Sequence, residues 1–196
     1  LILNNEIVFF INNLGDVTAL NSNDGTILWQ TPTQSNIIYQ NAFSLENSDL
    51  VLQDDTIYFS NNKNEFFSID TKTGSFNWKN KINSSLRSTL VDQYIFSISL
   101  EGYLIVTEKN SGNIIRVTDI FKNFKEKKRS KIKPTGFILG LSKIYLSTSN
   151  GRLIVIDIDT GKPISTLKID NEKISRPFVS NKNLFVIKDK AIIRLN

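Results

Sequence analysis

Of the side chains that carry most protein chemistry, this 196-residue chain contains neither histidine nor cysteine. Without His the usual general base and the commonest metal ligand are missing, and hydrolytic triads and His-rich zinc sites go with them. Without Cys there are no disulfides, thiolate nucleophiles or Cys-ligated zinc. Carboxylates, Lys, Tyr and bound cofactors remain. The acids stand mostly in short polar clusters between apolar runs, at Asp54, Asp55, Asp70, Asp92, Asp157 and Asp159. An Asp at a turn start accepts a hydrogen bond from the backbone two residues on, so turn caps are the favoured reading. Asp157-x-Asp159-x-Gly161 has the opening spacing of a Ca²⁺ loop, but Lys162 and Pro163 follow where oxygen ligands are needed. That spacing predicts a turn between strands and no metal site.

Lys and Arg number 24 against 19 Asp and Glu, a formal net charge of +5. The excess is local. Residues 118–134 (TDIFKNFKEKKRSKIKP) hold seven basic and two acidic residues, which leaves 17 of each sign in the rest of the chain. Apolar runs such as Ile7–Ile11 and Phe137–Leu141 fall far short of the ~20 residues of a membrane-spanning helix. No signal-peptide pattern opens the sequence. The chain starts at Leu1 and contains no Met, so it is expected to be part of a longer translation product, and the missing pattern carries little weight.

The elements that must position these groups come from an internal repeat. Gly25, Gly74, Gly112 and Gly161 each close a polar turn after an apolar run, and ten residues before each stands Gly15, Asn64, Gly102 or Gly151. All are residue types that tolerate positive φ. Four residues after the first two glycines come Trp29 and Trp78; Arg116 and Ser165 take the later equivalents, which are expected to be less buried or to meet something polar. Two further apolar runs precede each unit, as in LVL-QDD-TIYFS, and recur a fifth time in PFVS-NKN-LFVI. Each unit is therefore four strands, A to D. Strand C is apolar on both faces, as in Leu153–Ile156, which suits a strand between packed sheets.

Four-stranded units at this spacing predict an all-β fold, a β-propeller of antiparallel blades in one partial domain over 1–196. The blades are expected at about 1–30, 49–79, 87–117, 137–166 and 176–196, the last without strand D. That is about 4.75 blades of a larger ring. An open array exposes apolar surface between blades at its ends, so self-association is expected. Aromatics that recur in register (Trp29, Trp78, Tyr58, Tyr94, Phe96, Tyr145) read as packing between blades.

The line Asp70-x-x-Thr73-Gly74-x-x-x-Trp78, repeated at Asp157, Thr160 and Gly161 and degenerately at Asn21, Gly25 and Trp29, resembles the PQQ-like propeller repeat. The stretch SNGRLIVIDIDTGKPISTLKID with RPFVSNKNLFVIKDKAIIRLN resembles the C-terminal end of the BamB family, and TDIFKNFK…KIKPTGFILG is similar to its alphaproteobacterial members. The resemblance implies an intact eight-bladed ring, a lipid-tethered propeller on the periplasmic side of the outer membrane. It further implies a non-catalytic scaffold for β-barrel assembly, without cofactor, whose partner is the barrel-inserting subunit. Two other readings stay open, a PQQ-dependent quinoprotein dehydrogenase and an extracytoplasmic sensor or adhesion propeller. The first would need a carboxylate base and a cation site at strand A positions, whereas these acids sit in turns.

Two connections from strand D to the next strand A are long, 31–48 and 118–136, and long loops in compact domains tend to be functional. Strand alternation puts both beside the turns at Gly15, Asn64, Gly102 and Gly151. The first carries Ile37, Ile38, Tyr39, Phe43 and Leu45, then Glu46 and Asp49; the resemblance puts the family's acidic partner-binding connection here. The second carries Lys122, Lys125, Lys127, Lys128, Arg129, Lys131 and Lys133 with Phe121 and Phe124. A short helix is expected there, with Lys122, Lys125 and Arg129 along one side and Phe121, Phe124 and Lys128 along another. An acidic protein or anionic lipid fits such a run better than nucleic acid. The candidate partner-binding residues are thus Tyr39, Phe43, Glu46, Asp49, Lys127, Lys128 and Arg129.

Overall fold

The computed structural model describes residues 1–33 and 44–195. Nineteen strands make five sheets. The first is β1 (Ile2–Asn4), β2 (Ile7–Ile11), β3 (Val17–Asn21) and β4 (Ile27–Thr31), and the second β5 (Val51–Gln53), β6 (Thr56–Asn61), β7 (Glu65–Asp70) and β8 (Phe76–Asn80). The third holds β9 (Thr89–Val91), β10 (Tyr94–Ile98), β11 (Tyr103–Glu108) and β12 (Ile114–Asp119). The fourth holds β13 (Pro134–Gly140), β14 (Lys143–Thr148), β15 (Arg152–Asp157) and β16 (Pro163–Lys168). The fifth has three strands, β17 (Phe178–Ser180), β18 (Asn183–Lys188) and β19 (Ala191–Leu195). Neighbours in sequence are neighbours in every sheet, the four-strand unit anticipated from the repeat.

Leu1–Ile95 with Thr107–Asn113 forms one compact unit, and Phe96–Val106 with Ile114–Asn196 a second. In the first, Phe9, Val17 and Ala19 pack with Leu50, Ile57, Phe59, Phe67 and Ile69, and Trp29 and Phe76 close over them. A fully buried Phe or Ile is worth about 1.5–3 kcal/mol, so this apolar cluster is a large contribution to that unit's cohesion. In the second, Leu153, Ile174 and Val186 pack with Tyr145, Leu184 and Ile193.

The third strand of the second, third and fourth sheets has no wet face, whereas β19 of the fifth is largely exposed. In β7, β11 and β15 the four central residues are all buried, which is why EFFSID, YLIVTE and RLIVID carry unbroken apolar or small side chains there. The fourth strands lie at the sheet edge and are largely exposed, β16 along its whole length. Between third and fourth strands the register slips at one repeated place, Ala19/Leu20, Ser68/Ile69 and Val155/Ile156. A bulge there increases the local twist and re-aims the edge strand.

The turn after that bulge is built alike in each unit. The glycine N–H donates to the carbonyl of Asn21, Asp70, Glu108 or Asp157, each at 2.9 Å. The side chain of the same residue caps the turn: the Asp70 carboxylate accepts from the N–H groups of Lys72 and Thr73, and Asp157 from the N–H and hydroxyl of Thr160. Asp157 thus spends its oxygens on the turn, the role expected from its spacing. Hydrogen bonds from Thr73 hold Asp70 below the usual carboxylate range, and those from Thr160 do the same for Asp157.

The turns of Gly74, Gly112 and Gly161 are gripped from the preceding sheet. The Trp29 indole N–H donates to the Thr71 carbonyl at 2.8 Å, and the Thr31 hydroxyl to the Gly74 carbonyl at 2.6 Å. One repeat on, the Trp78 indole donates to the Lys109 carbonyl and the Asn80 amide to that of Gly112. Arg116 replaces the ring with charge: its guanidinium donates to the carbonyls of Ile158 and Asp159. The loss of the ring is therefore a change of donor at a kept contact, the polar alternative anticipated for this position.

The glycines in these turns separate backbone from packing. Gly25 has φ +75° with open space where a Cβ would go, whereas at Gly74 (φ +73°) a Cβ would lie 2.7 Å from the Trp29 ring. Gly25→Ala is expected to cost about 1 kcal/mol, the left-handed penalty alone. Gly74→Ala should cost about 2 kcal/mol more through overpacking; urea unfolding of the two variants checks the difference. Both carboxylates have lowered folded values, so their stabilisation is present above the unfolded value and lost as pH falls through the folded one. Asp70→Asn with Asp157→Asn is therefore expected to flatten the fall of the urea midpoint below about pH 4.

Candidate functional site

Of the two long connections, the described ends of the first (32–33 and 44–50) and the second (120–133) meet turns between second and third strands, the side expected from strand alternation. At the start of the first, the Thr33 hydroxyl donates to the Gly15 carbonyl at 2.7 Å. Tyr39 and Phe43, with Ile37 and Ile38, lie outside the described residues. From Ser44 the connection is strapped along the end of β6. Asn62 donates its side-chain amide to the Ser44 carbonyl and its N–H to the Glu46 carbonyl, while the Glu46 N–H returns to the Asn62 side chain. The Lys63 ammonium reaches the Ser44 hydroxyl at 2.8 Å, and the Ser48 N–H pairs with the Ser60 carbonyl. Leu50 then enters the core. Glu46 and Asp49 stay exposed on this strap, and the Glu46 carboxylate accepts a long bond from the Ser85 hydroxyl. Two acids are thereby presented on a backbone fixed at both ends of the pair.

The basic connection belongs to the other compact unit. Its anchor is Phe121, fully buried and lying where a Cβ on Gly102 would overlap the ring. The Ile120 N–H donates to the Gly102 carbonyl, and the Phe121 N–H to the Asp119 carboxylate. Phe124 meets Phe121 edge to face at 5.6 Å. A single helix carrying both phenylalanines does not form. The helix α1 spans only Glu126–Arg129, because burial of Phe121 commits the residues before it to turns.

Arg129 faces inward. Its guanidinium forms an ion pair with Asp119 at 2.7 Å and lies over the Tyr103 ring at 5.3 Å. Asp119 holds the guanidinium above its usual value. Lys127 and Lys128 are exposed beside it, as are Lys122, Lys125, Lys131 and Lys133. Under the helix a cleft of about 510 Å³ is lined by Glu101, Tyr103, Phe124, Glu126 and Arg129. It adjoins a second of about 290 Å³ that reaches Leu100, Ile132 and Lys133. Neither the Asn62 clamp nor the Asp119–Arg129 pair was anticipated from sequence; both join residues ten or more apart with no periodicity between them.

Among the described residues no group of three or more His, Cys, Asp or Glu could hold a metal ion. No helix among them is long and apolar enough to cross a membrane. The groups that the long connections display are surface carboxylates and ammonium groups, suited to binding by charge.

Repeated four-stranded sheets, the first three each gripping the turn of the next through a donor four residues after a turn glycine, define a β-propeller of PQQ-like repeats. The profile of the family described as outer membrane protein assembly factor BamB matches residues 1–118, more than half of the chain, and the chain belongs to that family. Among solved structures, BamB from Moraxella catarrhalis superposes with a TM-score of 0.77 at 14% identity, over 99% of this chain and 55% of that one. The chain therefore spans little more than half of that protein's length. The β-propeller domain of Cps50 (Swd1) from Myceliophteria thermophila gives 0.68 at 12% identity, over 92% of this chain and 58% of its own. The Neurospora crassa Pan2 WD40 domain gives 0.67 at 10%, over 93% and 52%. At such identities the likeness is one of fold. No curated protein sequence matches the chain.

Anchoring and display are thus divided within one loop. Arg129→Gln is expected to lower the melting temperature by several degrees through loss of a half-buried pair. Lys127→Gln with Lys128→Gln should leave it unchanged within about a degree, as for solvated surface residues; thermal unfolding followed by circular dichroism checks both.

Proposed function

We propose that this chain is a non-catalytic protein-interaction scaffold that assists assembly and insertion of β-barrel proteins into the outer membrane, acting from its periplasmic side. Membership of the BamB family is the observation that carries the reading. The strap from Ser44 to Leu50 supports it: a fixed backbone that presents Glu46 and Asp49 to solvent is pre-organised for a basic partner, and pre-organisation lowers the ordering cost of binding. Its protein partner on this reading is the barrel-inserting subunit of the assembly machinery. The basic connection is a second site, with an anionic counterpart that is either protein or lipid. Self-association through apolar surface between blades at the ends of the array, and tethering by lipid, belong to the same proposal.

The test is titration of the chain against the soluble periplasmic repeats of the barrel-inserting subunit. Saturable binding is expected, with Glu46→Lys plus Asp49→Lys weakening it about tenfold, or 1.4 kcal/mol, at unchanged melting temperature. Unaltered affinity would remove the strap from the interface, and absence of binding would overturn the partner. Saturable uptake of a quinone cofactor with Ca²⁺ and dehydrogenase activity would replace the scaffold with the quinoprotein alternative.

A further inference from the structure

We infer that the connection 120–133 is an electrostatic docking surface for an anionic lipid bilayer. The inference rests on the proposed function only for there being a membrane nearby. Six lysines of this loop, Lys122, Lys125, Lys127, Lys128, Lys131 and Lys133, are exposed. The ion pairs found among the described residues use Lys72, Lys109, Arg129 and Lys188, and none of these six. Nearby acids oppose them weakly: Asp119, at the end of β12, is bound to Arg129, which leaves Glu126 in the loop and Glu101 across the cleft against six lysines. All of the chain's net charge is thus carried outward on one segment. Fields from charges more than about 8 Å away are screened at physiological salt, so an approaching surface feels this segment and not the neutral remainder.

The composition of what is exposed selects lipid over protein. Protein interfaces are enriched in aromatic residues and Arg and depleted in Lys. Here the assignment is reversed: Phe121 is buried, Phe124 packs against it, and the one Arg turns inward to Asp119. Outside the cleft, where Tyr103, Phe124 and Arg129 are half-buried, what faces solvent is a set of flexible, strongly hydrated point charges. Such a surface has little to offer a partner that needs fixed geometry. It matches a diffuse layer of phosphate headgroups, where adjacent lysines each add to adsorption without a specific contact. The loop is nevertheless held in place, through Phe121 on Gly102 and Arg129 between Asp119 and Tyr103, so its charge is displayed from a rigid base.

The experiment is co-sedimentation of the full chain with vesicles of phosphatidylcholine alone and of phosphatidylcholine mixed equally with phosphatidylglycerol. Binding is expected to the mixed vesicles only and to fall steeply as salt is raised. Lys127→Gln with Lys128→Gln should lower partitioning roughly 30-fold, two lysines at the usual contribution near a charged bilayer. Both variants replace exposed side chains, so their fold is checked by unchanged melting temperature. Equal binding to both vesicles, no binding to either, or binding unaffected by the substitutions would overturn the inference. Capture by polyglutamate with no vesicle binding would overturn it in favour of an acidic protein. Failure here leaves the titration against the barrel-inserting subunit untouched, so the two proposals fail separately.

Discussion

The grip of an edge-strand side chain on the main-chain carbonyls of the following turn is the contact on which the repeat depends. Carbonyls in a tight turn have no ladder partner, and leaving them desolvated and unpaired costs about 1–3 kcal/mol each. Trp29, Trp78 and Arg116 each supply the missing donor from the sheet before. The same side chains roof the turn, and glycine is required there because the roof leaves no room for a Cβ at Gly74 or Gly112. Positive φ, bulge, capping acid and donor therefore form one linked device. Its repetition gives each unit a defined successor and makes cohesion a matter of neighbours.

That device explains why the fold was legible in the sequence. A turn glycine, its capping Asn, Asp or Glu and an aromatic four residues on are all demanded by local geometry, so they recur with visible spacing. The buried third strands were legible for a similar reason, since a strand wet on neither face cannot alternate. Arg116 was only half legible. Its position showed the absence of a ring but not that a guanidinium reaches the same carbonyls. The sites were harder. Charge on residues 118–134 could be counted, and the exposure of Lys127, Lys128, Glu46 and Asp49 follows from loop placement. The inward turn of Arg129 could not be read, because its partners Asp119 and Tyr103 reach it only through the fold.

Within each long connection, holding and displaying are given to different residues. In the first, Asn62 and Lys63 of the neighbouring turn hold the backbone while carboxylates point away. In the second, an aromatic and an ion pair hold it while ammonium groups point away. Affinity for a charged counterpart can thus change by substitution of displayed residues at little cost to the scaffold beneath.

The exchange of an indole for a guanidinium has a further consequence, for how the junctions respond to solvent. A junction roofed by Trp29 or Trp78 gains from salts and osmolytes that are excluded from apolar surface, and weakens on cooling as apolar hydration becomes less costly. The Arg116 junction draws its strength from charge-assisted hydrogen bonds instead, and temperature acts on it mainly through the hydration of its charge. A single chain built from one repeated motif therefore carries seams of two thermal characters, and cold and heat do not search for the same weak point.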